Sequence, residues 1–572
     1  MGMPADGGQV NAWRGEYQIL KRVLGEVVRK TSRAARWVLV FEYELPRERG
    51  RRPDVVVLTG SQVVVLEFKE SDLLQRAHVD QVAAYARDLS EYQAASHDKL
   101  VDPILVLTRA KDTRRTVGGV TVVNPDGLLE TIVELEKRAP DEPVDSEGWI
   151  GADYSPLPSL VAAARRIFEH EPLPQIRKAQ SAGIPDTVDR LVTAATRAKD
   201  ASELHLALVT GVPGSGKTLV GLQFVYDNYF GDTGSERSAV FLSGNGPLVK
   251  VLQYALESRI FVQDVHGFLK QYGGVDGHVP EEHVWVYDEA QRAWDAKQVF
   301  KKRNHDLSEP DDFLLMGARK QSWALMGGLI GEGQEIHVGE EAGLAQWNDA
   351  VRRSGDKWTV HCPAKIAQLF PAASNVETSD ALDLDVSLRT HLAEDVQEWV
   401  RALLDGRLNA AAGFSERMAR QGYCLYVTRD LNQAMEYARD RYEREKDKRY
   451  GFLGSSKGRL NPYGLTTDYF SSLRMKLGPW YYDDPESPKS CCQFAETATE
   501  FQCQGLELDM PVVGWGVDLH WDGKVWRSRP QKRSEATDPH QLRLNSYRVL
   551  LTRGRDGSVV DVPAVVQRAE AL

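Results

Sequence analysis

The run Gly211-Val212-Pro213-Gly214-Ser215-Gly216-Lys217-Thr218 fits G-x-x-x-x-G-K-[ST] at every position, and no other feature of the chain restricts its fold so sharply. The apolar run 204–209 before it reads as a buried strand, and Leu219-Val220-Gly221-Leu222 after it can open a helix. A strand, a glycine-rich turn and a helix N-terminus together make an anion cradle, because the glycines let backbone N–H groups curl toward phosphate and the helix dipole adds to them. Gly211, Gly214 and Gly216 shape that cradle, Lys217 reaches β- and γ-phosphates, and the Thr218 hydroxyl holds Mg²⁺. A chance Lys-Thr after a glycine-rich turn is the bland alternative, and the flanking strand and helix argue against it. The implied ligand is a nucleoside triphosphate, ATP, with Mg²⁺.

Chemistry on a triphosphate needs a second, acidic site. Val284-Trp285-Val286-Tyr287 reads as a short strand that ends in Asp288-Glu289-Ala290-Gln291-Arg292. Asp288 is expected to hold the Mg²⁺, and Glu289 to polarise the attacking water, since positioning and charge stabilisation carry most of phosphoryl-transfer catalysis. An acidic helix start after a strand would give the same letters; behind a P-loop the catalytic reading is preferred.

The tetrapeptide Asp288-Glu289-Ala290-Gln291 resembles motif II of superfamily 1 helicases. Segment 241–248 resembles motif Ia, 331–336 motif III with Gln334, 387–390 motif IV with Arg389, 499–507 motif V, and 547–555 motif VI with Arg553. The resemblance implies that Gln334 couples the γ-phosphate to a strand-binding groove. It implies too that Arg389 and Arg553 reach the γ-phosphate from a second lobe. Motif III departs from the usual pattern, with Glu332 where Gly-Asp is common and a shorter spacing. Together with the run through Glu340 and with Tyr450-Gly451-Phe452-Leu453-Gly454-Ser455-Ser456-Lys457, this is similar to a bacterial helicase family related to the Schlafen helicase domain. The likeness covers roughly Tyr154 to Pro563 and implies two RecA-like parallel-sheet motor lobes.

The front of the chain carries different chemistry. Residues 51–58 and 62–69 read as two strands joined by the turn Thr59-Gly60-Ser61. At that hairpin length Asp54 and Glu67 come side by side, with Lys69 on the same face as Glu67. Two carboxylates and a lysine at one sheet edge can hold a divalent cation, Mg²⁺ or Mn²⁺, and orient a water for phosphodiester attack. Pro53-Asp54 with Glu67-Phe68-Lys69 resembles the PD-(D/E)XK nuclease core. Gln81 and Tyr85, one helical turn apart, are similar to the Gln-x-x-x-Tyr pair of its RecB-like members. Trp13 to Leu24 reads as an amphipathic helix on which Glu16 is either a further acidic ligand or a solvated residue.

At 572 residues the chain exceeds one core. The expected architecture is α/β throughout: a restriction-endonuclease-like α/β sandwich over 1–137, a linker over 138–157, and RecA-like lobes over 158–380 and 381–572. The stretch Gly478 to Ser490 reads as a loop. A composition of 42% hydrophobic and 27% charged residues is that of a soluble globular protein. No apolar run approaches the ~20 residues of a membrane span, and the first residues lack a signal-peptide pattern, so a cytoplasmic location without membrane attachment is expected. Five cysteines without Cys-x-x-Cys spacing read as reduced core residues rather than a zinc site.

The net charge of −11 places any nucleic-acid contact in a local groove rather than over the whole surface. Arg47, Arg49, Arg51 and Arg52 are one candidate contact; Lys297, Lys301, Lys302 and Arg303 are a second. Trp285, Trp294, Trp323 and Trp347 read as core, with one a candidate to stack on a base. Gln175 and Gln180 are alternatives for reading adenine. The favoured function is an ATP-driven translocase or helicase joined to a metal-dependent nuclease, acting on DNA in preference to RNA, in phage defence or DNA repair. Two alternatives are an ATP-gated nucleic-acid sensor whose N-terminal part grips without cutting, and a P-loop ATPase that remodels a protein partner.

Overall fold

The computed structural model describes residues 7–138, 140, 142–156, 158–169, 183–212, 214–229, 239–331, 343–355, 357–385, 391–529 and 538–563. Its strands fall into three main sheets. The first holds β1 (Val38–Phe41), β2 (Val55–Leu58), β3 (Gln62–Lys69), β4 (Leu100–Leu107), β5 (Arg114–Val117) and β6 (Val120–Val123), in the order β1-β2-β3-β4-β6-β5. It is mixed: β3, β4 and β6 run parallel, while β1, β2 and β5 are antiparallel to their neighbours. Both faces are covered, and the period-2 alternation sorts the valines between them. Val56, Leu58, Val63 and Val65 pack under helix Arg76–Tyr92. Val55, Val57, Val64 and Leu66 pack under helices Gly7–Lys30 and Pro125–Arg138. The result is an α/β sandwich.

The second sheet is parallel throughout: β7 (Leu204–Gly211), β8 (Ala239–Ser243), β9 (Val262–Asp264), β10 (Val284–Asp288), β11 (Ala324–Gly331), β12 (Trp358–Cys362), β13 (Asn375–Thr378) and β14 (Asp383–Leu384). Its order is β13-β12-β7-β11-β10-β8-β9, with β14 on the end of β7. A parallel sheet is covered on both faces, which is why β7 is an almost unbroken apolar run. The third sheet is parallel too: β15 (Cys424–Thr428), β16 (Tyr450–Gly454), β17 (Thr497–Thr499), β18 (Met510–Gly514) and, after a hairpin of β19 (Leu519–Trp521) and β20 (Trp526–Ser528), β21 (Gly557–Asp561). These two sheets are the RecA-like lobes. Among the described residues no helix is long and apolar enough to cross a membrane, and the five cysteines are buried and free.

Four expectations change. The stretch read as a linker contains helix Ser146–Ile150, and Trp149 and Tyr154 enter the core of the N-terminal sandwich, where the Trp149 indole donates to Ser96 Oγ at 2.8 Å. Two aromatics there outweigh the local proline and acid content. Leu384, placed near the start of the second lobe, instead pairs with Gly211 in the second sheet, that of the first lobe. The stretch 478–490 is not all loop, because helix Leu477–Tyr482 buries Trp480 and packs Gly478 against the Tyr254 ring.

The arginine cluster does not form an open basic surface. Arg51 is 3% exposed inside ion pairs, Arg49 pairs with Asp447 and Asp484, and Arg52 pairs with Glu42. Arg303 is likewise consumed, by Glu309 and Asp312, whereas Lys297, Lys301 and Lys302 stay exposed. Trp285 and Trp347 are fully buried; Trp294 stacks on His266 and Trp323 on His283.

Candidate functional site

Because the second sheet is parallel, all its strands deliver their C-terminal ends to one edge, and the residues expected to bind phosphate collect there. β11 separates β7 from β10, and the register sets Gly211 beside Gly331 and Asp288 beside Ser243. Gly214 and Gly216 have φ of +80° and +92°, the left-handed region that favours glycine. Gly211 is required for a different reason: a Cβ there would lie 2.6 Å from Ser215 Oγ and 2.7 Å from the Leu384 carbonyl. Lys217 opens helix Lys217–Tyr229 and donates to the carbonyls of Gly211 (2.8 Å) and Val212 (2.9 Å), so its ammonium is held over its own loop.

The Thr218 hydroxyl donates to Asp288 at 3.1 Å. Burial, with the charge of Glu289 behind it, pushes the Asp288 carboxyl up to about 7 against the opposing effects of Thr218 and Lys217. Glu289 has φ +60°, an uncommon conformation for a glutamate, and accepts a hydrogen bond from Gln291. Gln291 Oε1 in turn accepts the Gly331 N–H at 2.9 Å, tying the acidic strand to the end of β11. Among the described residues Ser215 Oγ is buried without a hydrogen-bond partner. A hydroxyl beside a buried carboxyl held above its usual range, next to a lysine and an unsatisfied hydroxyl, is a donor set that fits Mg²⁺ and a phosphate.

Arg553 follows helix Pro539–Leu551, and its guanidinium donates to the Val549 carbonyl at 2.9 Å and to Thr552 Oγ1 at 3.0 Å within its own lobe. Gln334 and Arg389 lie outside the described residues, as do Pro213, Gln175 and Gln180.

In the N-terminal sandwich, the pairing of Val55 with Leu66 makes Asp54 and Glu67 the next pair along the hairpin. Asp54 Oδ2 accepts the Phe68 N–H at 2.7 Å, and Lys69 Nζ lies 3.1 Å from Glu67 Oε1. Protein surrounds Asp54 closely enough that burial, with Glu67 and Glu16 adding to it, holds its carboxyl well above the usual range. Burial raises Glu67 as well, against Lys69. Glu16 is raised to about 7 by burial and by the charges of Glu42 and Glu67, so this residue belongs to the cluster rather than to open solvent. Burial opposes the Lys69 charge, but Glu67 and Asp54 more than offset it and its pKa lies above the ordinary lysine value. Gln81 donates to the Tyr85 hydroxyl at 3.3 Å, and Gln81 Oε1 is buried without a partner among the described residues. Carboxyls all held high are negative groups short of a cation, and hard oxygens suit Mg²⁺ or Mn²⁺. Among the described residues, however, no group of three or more His, Cys, Asp or Glu is disposed to hold a metal ion.

Sequence reasoning missed what stands over this cluster. Arg444 of the second lobe, with φ +70°, lowers the pKa of both Glu16 and Glu67, and Glu443 acts on Lys69. The same lobe grips helix Arg76–Tyr92, which carries Gln81 and Tyr85. Arg51 lies 2.6 Å from Asp88 and 3.3 Å from Glu445, all three buried. Asp80 accepts from the Tyr426 and Tyr437 hydroxyls at 2.7 and 2.8 Å, and Arg87 lies 3.5 Å from Asp556. The cue available was the density of arginines and acids near 47–54, but their partners lie hundreds of residues away.

Residues 204–564 match the family model described as Schlafen group 3, DNA/RNA helicase domain, which spans both parallel sheets and well over half of the 572 residues. No curated protein matches the chain. With the P-loop edge, the acidic strand and the two-lobed architecture on one continuous match, the chain belongs to the Schlafen group 3 DNA/RNA helicase domain family.

Proposed function

We propose that the chain is an ATP-driven nucleic-acid translocase whose N-terminal sandwich is a metal-dependent nuclease, acting on DNA in preference to RNA. The carrying observation is the convergence of Asp54, Glu67 and Lys69 at one sheet edge, with Glu16 in electrostatic reach. Lys217 and the P-loop N–H groups hold the phosphates, Thr218 and Asp288 hold Mg²⁺, and Glu289 orients the attacking water. In the sandwich, Asp54 and Glu67 hold the cation, Lys69 stabilises charge building on the scissile phosphate, and Gln81 with Tyr85 positions the strand. Bound divalent cations neutralise phosphate charge at both places. Lobe closure brings Arg389 and Arg553 to the γ-phosphate, which requires Arg553 to leave the carbonyl it now binds. Use in phage defence or DNA repair rests on analogy with proteins of similar layout.

The grip of the second lobe on helix Arg76–Tyr92 supports coupling, because lobe movement then carries the nuclease site with it. The sensor reading takes its support from the lack of a three-ligand cluster among the described residues. The deciding experiment compares wild type, Lys217→Ala and Lys69→Ala on circular and linear DNA, and on RNA, with Mg²⁺ or Mn²⁺ and with or without ATP. Cutting that falls about 10²-fold or more in Lys69→Ala, and that needs ATP only while Lys217 is intact, is the expected result. Nucleic-acid-stimulated ATPase without cutting of any substrate would replace the nuclease with a grip.

A further inference from the structure

Three of the most exposed large apolar side chains among the described residues sit on two neighbouring segments of the second lobe. Tyr469 is 71% exposed and Phe470 69%, both on the short helix Tyr469–Arg474, and Phe501 is 68% exposed on the turn after β17. Monomeric proteins do not gather open aromatic rings without a use for them. The segments are fastened together: Gln502 Nε2 donates to the Ser472 carbonyl at 2.9 Å, and Gln502 Oε1 accepts the Thr499 N–H at 3.0 Å. Phe501 is therefore presented outward while Gln502 and Cys503 beside it are buried. Asp468 caps the helix by accepting the Phe470 and Ser471 N–H groups, which fixes the pair of rings at the surface.

Charge selects the occupant. Lys457, Arg459, Arg474 and Lys476 are exposed and have no ion-pair partner among the described residues, while the only carboxylate between 457 and 476 is Asp468, already used as the cap. A second copy of this face would set like charges against like, whereas a polyanion that also carries flat apolar rings satisfies both features. The turn continues to Gly505, where an added Cβ would run into the Asn245 side chain, so the aromatic patch lies where the second lobe meets segment 241–248 of the first.

We propose that Tyr469, Phe470 and Phe501 form a base-stacking platform for single-stranded nucleic acid, flanked by Lys457, Arg459, Arg474 and Lys476 as phosphate contacts. The inference deepens the reading of this chain as a nucleic-acid motor and rests on it. Stacking tolerates any base, so the platform contributes grip rather than sequence preference.

The test uses the full chain and labelled single strands of about 15 nucleotides, thymidine or uridine, beside an abasic strand of equal length. Replacing all three rings by alanine should weaken binding to the base-bearing strands about 100-fold, leave the abasic strand unchanged, and keep the salt dependence, since no cation is removed. The corresponding leucine variant retains an apolar surface without aromatic faces and should weaken binding as well; equal melting temperatures establish that both variants fold. Unchanged affinity in a folded alanine variant would overturn the platform while leaving the motor intact. Failure of the wild type to bind any strand, with no stimulation of its ATPase, would remove the motor reading itself. Loss of self-association in the variant, with strand affinity unaltered, would identify a second copy as the occupant and overturn the proposal.

Discussion

The phosphate-binding edge of the first lobe and the carboxylate edge of the N-terminal sandwich are built from similar parts and held in opposite ways. Each sets buried carboxyls with raised pKa values beside a lysine, and each keeps a buried polar atom without a partner among the described residues, Ser215 Oγ in the lobe and Gln81 Oε1 in the sandwich. In the first lobe the described parts come from one sheet and from the loop and helix that follow its first strand. In the sandwich a neighbouring lobe completes the surroundings, through Glu443, Arg444 and Glu445. The first-lobe part of the motor site can therefore form wherever its sheet forms, while the sandwich site takes its final electrostatics from how the two halves dock.

Breaking the dock is the most severe test of that difference. Arg51 is shared among Glu48, Asp88 and Glu445, and its loss leaves buried acids without their cation. Arg51→Ala should cost about 3–5 kcal/mol of stability, the usual penalty for breaking a buried pair from one side. Calorimetry should then show the unfolding of the sandwich separating from that of the lobes. ATPase should stay within about twofold of wild type, because changes far from a site leave it nearly untouched, while the metal-dependent cutting proposed for the sandwich falls or loses its dependence on ATP. Equal losses at both sites would mean that the motor leans on the dock too, and the contrast would fail.

The same difference explains what could be read from the chain. The P-loop is eight consecutive residues whose chemistry is local, and Asp54 with Glu67 follows from hairpin spacing and the two-residue period of a strand. Helix Arg76–Tyr92 was legible because Gln81 and Tyr85 are one turn apart. The dock was not, since Arg51 finds its partners at 88 and 445, and a loop rich in arginine looks the same whether it faces solvent or a lobe. Trp149 and Tyr154 were hidden by surrounding prolines and acids, and β14 was hidden because a two-residue strand carries no pattern. Long-range partners, rather than local propensity, decided each of these.

The dock has a pH signature of its own. Burial pushes Glu445 up to about 7, with Arg51 and Lys448 opposing and Glu48 and Asp556 on the same side as burial. A carboxyl whose docked pKa is raised contributes stability that is complete below its free value near 4.5 and is lost as pH rises through about 7. Asp88 and Asp556 act the other way, held below the usual range, Asp88 chiefly by Arg87 and Arg51 and Asp556 chiefly by Lys448 and Arg87, in both cases against burial; their contribution disappears only under strongly acidic conditions. Between pH 5 and 8 the Glu445 effect should dominate the difference between wild type and Glu445→Gln, on the order of 2–3 kcal/mol in favour of the variant at the alkaline end. Melting curves of the two proteins that stay parallel across that range would remove Glu445 as the responsive group.

The smallest expected effect separates the two sites most finely. A buried hydroxyl or amide without a partner costs about 1–3 kcal/mol in the unliganded protein, a cost that a ligand can remove by supplying the missing bond. Ser215→Ala should stabilise the protein by about 1 kcal/mol without nucleotide and by less with it, because the alanine gains nothing from phosphate. Gln81→Met should do the same in the sandwich, with single-stranded DNA and Mn²⁺ in the place of nucleotide. Because Ser215 and its surroundings lie within the first lobe, away from the dock, the Ser215→Ala gain should survive in Arg51→Ala. The Gln81→Met gain should shrink there, since undocking opens helix Arg76–Tyr92 to water and lets solvent satisfy Gln81 Oε1. Thermal shifts of the two double variants against their single parents measure both terms, and a Gln81→Met gain that persists after undocking would mean the sandwich site is as self-contained as the motor.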